Sequence, residues 1–325
     1  MDSGPWLHTA AMLLSALAGL AFGAVFDLSS AEVLIEVFLI LMLYAVFSAV
    51  DGGDLRKSFA NARFSVTALA INFVFTPVLA WAMGQLLYDD SDMRIGLFLL
   101  LIMPCTDWYL VFTRLAGGNV ALGSSILPMN LVIQVVMMPV YLMIFYGSDV
   151  DFDMADMLLQ AAYMVVIPLV AVLVVKWLSK RSGSVQNFDA WVIAKSDLLQ
   201  LFFLCLAIFA MFASSAETVF DNAGLVTSLI VPMLAFFLID YLVATGASRA
   251  EHMPYGDATA LIFTTMARNE PLALAIAAAV FADSPLILVA LAVGPLIELP
   301  VLSLVASARA KNGGKIENDA GTASD

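Results

Sequence analysis

A proline, a thiol, a hydroxyl and a carboxylate stand in a row at Pro104, Cys105, Thr106 and Asp107, inside an otherwise apolar stretch. Proline lacks the backbone donor a helix needs and clashes with the turn before it, so a helix breaks here. In a bilayer such a break survives only where protein or a water-filled cavity satisfies the freed backbone groups. An ionisable side chain at that depth marks a functional site by default. A second row of the same character, Ala267-Arg268-Asn269-Glu270-Pro271, lies in the matching position of the other half of the chain. Two interrupted segments placed correspondingly point to the binding site of a secondary transporter.

Each break starts a new half-helix. Thr106 or Asp107 caps the first, and Asn269 caps the second with Pro271 in its opening turn, where proline is tolerated. Two helix N-termini then aim free N–H groups and positive dipole ends at one spot, which suits an anion, a thiolate or a polar neutral solute. Asp107, Arg268 and Glu270 are the charges nearest to it. One reading pairs Asp107 with Arg268 as a lock between the broken helices, because buried charges pair. The other makes Asp107 or Glu270 a carboxylate that takes up and releases a proton. Both stay open, since Arg268 pairs fully with only one of the two acids.

Cys105 is either a small buried hydrophobe or a soft ligand favoured by a helix N-terminus and by Arg268. Cys205 lacks such neighbours and reads as packing. Asn130 and Gln134 stand one turn apart beyond Pro128 and read as cavity lining. Ser15, Gly19 and Gly23 form a small-residue stripe, a helix contact. Asp240 and Glu298 read as structural, nearer helix ends. His8 and His252 fall near span ends and the methionines lack metal-site spacing, so no metal site and no cofactor are expected.

The elements that carry these residues are set by composition. Of 325 residues, 62% are hydrophobic and 13% charged, and mean hydropathy is +0.96. A soluble domain is about 45–50% apolar and about 25% charged. Runs of about 20 apolar residues recur along the chain, so the fold class is an all-α, multi-pass membrane protein. A net charge of −13 and a pI near 4.4 exclude a basic nucleic-acid binder. The two cysteines give no disulfide framework. The N-terminus has no positive n-region, so the first apolar run reads as a retained span.

Ten spans are expected, near 6–25, 32–50, 63–87, 93–115, 119–146, 154–178, 195–214, 224–246, 257–282 and 284–308. With both termini cytoplasmic, Arg56, Lys57, Arg63, Arg114, Lys176, Lys180, Arg181, Lys195, Arg249, Arg309, Lys311 and Lys315 lie inside and Arg94 lies outside. That is 12 against 1, with Arg268 the fourteenth basic residue, and such a bias sets orientation. A single transmembrane domain over 1–310 then divides into inverted five-span repeats, about 1–148 and 152–310, with a disordered cytoplasmic tail at 311–325. Span 4 meets Pro104 roughly 15 Å after entering from outside, and span 9 reaches Asn269 at a similar depth from inside.

Four stretches carry a family likeness: Asn72-Phe73-Val74-Phe75-Thr76-Pro77; Pro104-Cys105-Thr106 with Leu115-Ala116-Gly117-Gly118; Asn130; and Val293 through Val301. In this order they resemble the arsenical resistance-3 family of arsenite efflux permeases, within the bile acid:sodium symporter superfamily. The resemblance implies discontinuous helices 4 and 9 that cross, in a core of helices 3–5 and 8–10. Helices 1, 2, 6 and 7 would form a panel that rocks against it. It also implies that Cys105 matches a functionally required cysteine. The chain departs from the pattern at span 9, where the arsenite permeases carry a glutamate three residues after the asparagine and this chain has Leu272. Asp107 and Arg268 replace small residues. Arg268 stands where sodium-coupled relatives carry a glutamine ligand; it would repel Na⁺ and stand in for it as a fixed positive charge.

The function expected is therefore a plasma-membrane secondary carrier, not an enzyme, exporting arsenite or a related metalloid oxyacid in exchange for protons. Cys105, Thr106, Asn130, Asn269 and Arg268 would hold the substrate, with Asp107 and Glu270 moving the proton. The alternative is a carrier of small organic anions in which Arg268 replaces a sodium ion. Partners are the small-molecule or oxyanion substrate, protons and the lipid bilayer, without nucleic acid; a homodimer is an open assembly. An intramembrane protease would need a catalytic aspartate pair, a Ser–His dyad or a zinc motif. Neither Asp107 nor Asp240 has the sequence context of such a pair.

Overall fold

The computed structural model describes residues 5–26, 32–49, 62–105, 109–147, 154–281 and 283–322. Over these residues the regular secondary structure is all helix apart from one isolated two-residue bridge, which lies between the two breaks; short turns join the helices. The first helices are α1 (Pro5–Gly23) and α2 (Glu32–Ala49). The third, α3, runs from Ala62 to Leu87 with one widened π turn at Ile71–Phe75 just before Pro77. Then come α4 (Ser91–Ile102), α5 (Tyr109–Leu115) and α6 (Val120–Tyr146).

The second half opens with α7 (Met154–Ser179), α8 (Gly183–Ala194) and α9 (Ser196–Ser214). Two short turns of helix, α10 (Ala216–Asp221) and α11 (Ala223–Ser228), lead into α12 (Ile230–Ala250). The chain closes with α13 (Tyr255–Met266), α14 (Glu270–Val280) and α15 (Pro285–Thr322). In α15 the helical backbone continues to Thr322, through most of the polar tail expected to be disordered from Lys311.

Among the described residues, five stretches are long and apolar enough to cross a membrane: Ala62–Leu87, Val120–Tyr146, Ser196–Ser214, Ala223–Ala250 and Pro285–Lys311. Both breaks split an apolar run into pieces too short to span alone. The leading pieces, α4 and α13, have 12 residues each, about 18 Å at 1.5 Å per residue. Helix α8 was not foreseen. It lies between two basic turns and leaves Phe188 and Trp191 exposed, with their rings stacked 6.4 Å apart.

Packing follows the side chains. Helix α9 lies against both α1 and α2, and α7 against α2. The most buried helices are those that carry the breaks: every residue of α13 from Ala258 to Met266 is buried, as is α4 from Ile95 to Ile102. Helix α15 packs along α4, α14 and α12, and Gly96 on α4 makes room for Ala290, since a Cβ there would sit 2.9 Å from Ala290 Cβ.

Candidate functional site

The two breaks meet. Helix α4 ends at Ile102 and Met103 turns extended, while α13 ends at Met266 and Ala267 does the same. Pro104 and Arg268 then pair as an isolated antiparallel bridge. Cys105 N–H donates to the Ala267 carbonyl at 2.9 Å, and Asn269 N–H donates to the Met103 carbonyl at 2.7 Å. Each break thus satisfies backbone groups that the other has freed, as an unwound segment away from water requires. Residues 103–105 and 267–269 thus meet through this pair of hydrogen bonds.

Arg268 closes the remaining gaps. It is 1% exposed. Its Nη1 donates to the Leu101 carbonyl at 3.0 Å and its Nε to the Met266 carbonyl at 3.1 Å, so one guanidinium caps the last turn of both α4 and α13. A cation there also opposes the negative ends of two helix dipoles. The planar group lies over the Phe236 ring, 4.9 Å from its centroid, and its Nη2 has no hydrogen-bond partner among the described residues. The Arg268 backbone N–H donates to Glu298 Oε2 at 3.1 Å.

Three carboxylates, Asp240, Glu298 and Glu270, and the Cys105 thiol act electrostatically on Arg268. Glu298 and Glu270 also contact each other directly. A hydrogen bond between two carboxyl groups requires a proton on one of them. Gly294, one turn before Glu298, permits the approach: a Cβ there would fall 2.8 Å from Glu270 Cγ and 2.3 Å from Leu100 Cδ1. Asp240 is fully buried and interacts with Thr265, whose Oγ1 also lies 3.2 Å from the Ile262 carbonyl and donates to it; by strict hydrogen-bond geometry neither Asp240 oxygen has a partner among the described residues.

Asn269 caps α14 through its side chain, which accepts from Leu272 N–H at 3.3 Å, with Pro271 in the first turn. On the other side of α13, Asn72 Nδ2 donates to the Thr264 carbonyl at 3.2 Å. In an unbroken helix Arg268 N–H would take that carbonyl. Asn130 Nδ2 reaches Thr264 Oγ1 at 3.5 Å. Asn72 Oδ1, Thr76 Oγ1, Asn130 Oδ1 and both polar atoms of Gln134 are buried without partners among the described residues. The π turn at Ile71–Phe75 contains Asn72; such turns recur at functional sites.

Of the expected site residues, Cys105, Arg268, Asn269 and Glu270 come together at the crossing, and Asn130 joins through Thr264. Thr106 and Asp107 lie outside the described residues, and with them the expected Asp107–Arg268 pair. Asp240 and Glu298, read as structural, stand beside Arg268 instead. The signal was available: both are carboxylates within apolar spans, which marks a site by default. A span over 224–246 puts Asp240 toward its end. The continuous helix begins at Ile230 and runs to Ala250, which puts Asp240 at its middle. A separate cavity of about 290 Å³, lined by residues including Arg63, Glu251, His252 and Asp257, lies at the far end of α13 from the crossing.

Buried interrupted helices, paired back to back and ringed with charge, define a helical membrane carrier rather than a catalyst. Comparison with known proteins agrees. A model of the Sodium Bile acid symporter family matches residues 36–222, and the chain belongs to that family. It is 22% identical over 275 residues to the arsenical-resistance protein Acr3 of Corynebacterium glutamicum, covering 81% of this chain and 74% of that protein. The Acr3 protein of Alkaliphilus metalliredigens is 21% identical over 280 residues, 82% of this chain and 78% of its own length. An uncharacterized sodium-dependent transporter of Bacillus subtilis, YocS, is 20% identical over 275 residues, 85% of this chain and 82% of its own. The protein is a multi-pass membrane transporter of small molecules or ions.

Proposed function

We propose that this carrier exports arsenite, or a related metalloid oxyacid, across the plasma membrane in exchange for protons. The single observation behind the reading is the Cys105 thiol held at the paired breaks beside Arg268. Trivalent arsenic is thiophilic, and one thiol gives a reversible contact that releases its cargo, unlike a trap of several thiols. Cys105, Thr106, Asn130, Asn269 and Arg268 hold the substrate in this reading. Asp107 and the Glu270–Glu298 carboxyl pair handle the proton. In this reading α1, α2 and α7 also span the membrane and each interrupted pair counts as one span, for ten spans in two inverted repeats with both termini cytoplasmic. The core of helices 3–5 and 8–10 would move against the panel of helices 1, 2, 6 and 7.

The test is uptake of arsenite into everted vesicles under an imposed pH gradient, comparing wild type with Cys105→Ser. Wild type accumulates arsenite as the gradient is applied, and the variant loses about tenfold or more of that rate, on the order of 1.4 kcal/mol. Full activity in Cys105→Ser rules out a thiol-dependent mechanism. The unpartnered Nη2 of Arg268 supports a second reading, in which a small organic carboxylate is the cargo. Competition of uptake by a carboxylate panel, with arsenite inert, would favour that cargo.

A further inference from the structure

Carriers built around interrupted helices hold coupling sodium ions with half-helix C-terminal ends and unwound backbone carbonyls. The family to which this chain belongs is named for sodium. Whether its crossing fits that ion turns on whether the half-helix carbonyls that would hold it are free. The two half-helix C-termini here are those of α4 and α13, and the carbonyls of Leu101 and Met266 in their last turns are both taken by the Arg268 guanidinium. Glu298 Oε2 accepts from the Arg268 backbone N–H. The paired breaks use the Met103 and Ala267 carbonyls on each other. A second monovalent cation at this point would face a guanidinium at close range, in a buried setting where like charges repel strongly.

We infer that Arg268 is a resident cation: its guanidinium occupies the place of a coupling sodium between the interrupted helices, so the carrier works without sodium. The assignment follows from charge as well as position. The guanidinium supplies one positive charge to two helix C-termini and to the carboxylates of Asp240, Glu298 and Glu270, as a bound ion would, but it does not leave during the cycle. Removing this one side chain uncovers the Leu101 and Met266 carbonyls beside the Asp240 and Glu298 carboxylates. That is a hard-oxygen set of the kind that holds alkali and alkaline-earth cations. The inference concerns the ion and stands for either cargo.

The experiment is thermal unfolding of the purified full-length protein in detergent, followed by intrinsic tryptophan fluorescence. Sodium chloride is titrated against choline chloride at constant ionic strength, with no transport substrate present. Wild type unfolds at the same midpoint in both salts. Arg268→Gln gains a saturable stabilisation specific to sodium, about 5 °C at roughly a hundredfold excess over the dissociation constant. A saturable sodium response in wild type overturns the inference, and so does a folded Arg268→Gln protein indifferent to sodium. If Arg268→Gln cannot be purified, Arg268→Lys carries the test. Its retained charge predicts equal midpoints in the two salts, and a sodium-dependent midpoint overturns the inference. Because no cargo enters the assay, its failure is separate from a failure of the arsenite reading.

Discussion

Two helix meetings in this protein are made by opposite means. Where α1 lies on α9, backbones touch through glycine: a Cβ on Gly19 would fall 2.5 Å from the Phe209 carbonyl oxygen, and one on Gly23 would fall 2.2 Å from that of Ala213. Small residues that let backbones approach are how helices associate where lipid removes the hydrophobic incentive. At the crossing the contact is polar, built from backbone pairs, a guanidinium and carboxylates. A glycine contact is either closed or lost. A hydrogen-bonded crossing can exchange partners while staying closed, and this is the property a moving site needs. The comparison separates the part of the molecule suited to rigid packing from the part suited to change.

The largest effect that would break this contrast is at Arg268. Replacing it with Met leaves Asp240 and Glu298 buried without their counter-charge, and losing one partner of a buried charged set costs about 3–5 kcal/mol. Chemical unfolding of the purified protein measures this. The double substitution Arg268→Met with Asp240→Leu removes both ends of the attraction and is expected to recover about 1 kcal/mol or more. An additive double mutant would mean that Asp240 does not act through Arg268. A smaller loss is expected at the glycine contact. Gly23→Leu forces α1 away from α9 and costs about 1–3 kcal/mol by overpacking, and no second substitution at a charged residue rescues it. A Gly23→Leu protein as stable as wild type would show that the backbones are not in contact there.

What is legible in the sequence is whatever depends on period and punctuation. Pro104 and Pro271 mark the breaks, and Asn269 reads as the cap that it is for α14, because proline and asparagine act locally on the backbone. The pairing of the breaks is legible only as a depth argument. Its hydrogen bonds join Met103 and Cys105 to Asn269 and Ala267 in the other half of the chain, and no local signal specifies them. The partners of Arg268 are harder. One reading of the sequence pairs it with Asp107, which lies outside the described residues; the hydrogen bonds that are described run to the Leu101 and Met266 carbonyls, because helix ends carry orphan carbonyls of their own. Asp240 and Glu298 are visible as carboxylates but not as neighbours, since α12 and α15 reach the crossing through packing rather than through chain order. Helix α8 escapes notice because a 12-residue, mostly exposed stretch between two spans carries no signal strong enough to separate it from a loop.

The smallest effect tests the other end of α4, where charge is not matched as it is at the crossing. Asp90 caps this helix, accepting from Met93 N–H at 2.9 Å, and Asp92 follows in the first turn. Burial, and then the Asp90 charge, raise the Asp92 carboxyl above its ordinary value, while a hydrogen bond with Ser284 opposes them. An acid raised in the folded state holds its proton longer there than in the unfolded chain. Its contribution is therefore most favourable below the unfolded value and is lost as pH rises through the folded one. Asp92→Asn removes that loss, so the variant is expected to be slightly more stable than wild type near neutral pH. The difference should shrink as the medium is acidified into the carboxylate range. Asp92 is only partly buried, so solvent screening keeps the gain within about 0.5 kcal/mol. Unfolding midpoints of both proteins measured across that range decide it: a gain that grows on acidification would put the strain elsewhere, and the acid pair at the head of α4 would then be as well matched as the charges around Arg268.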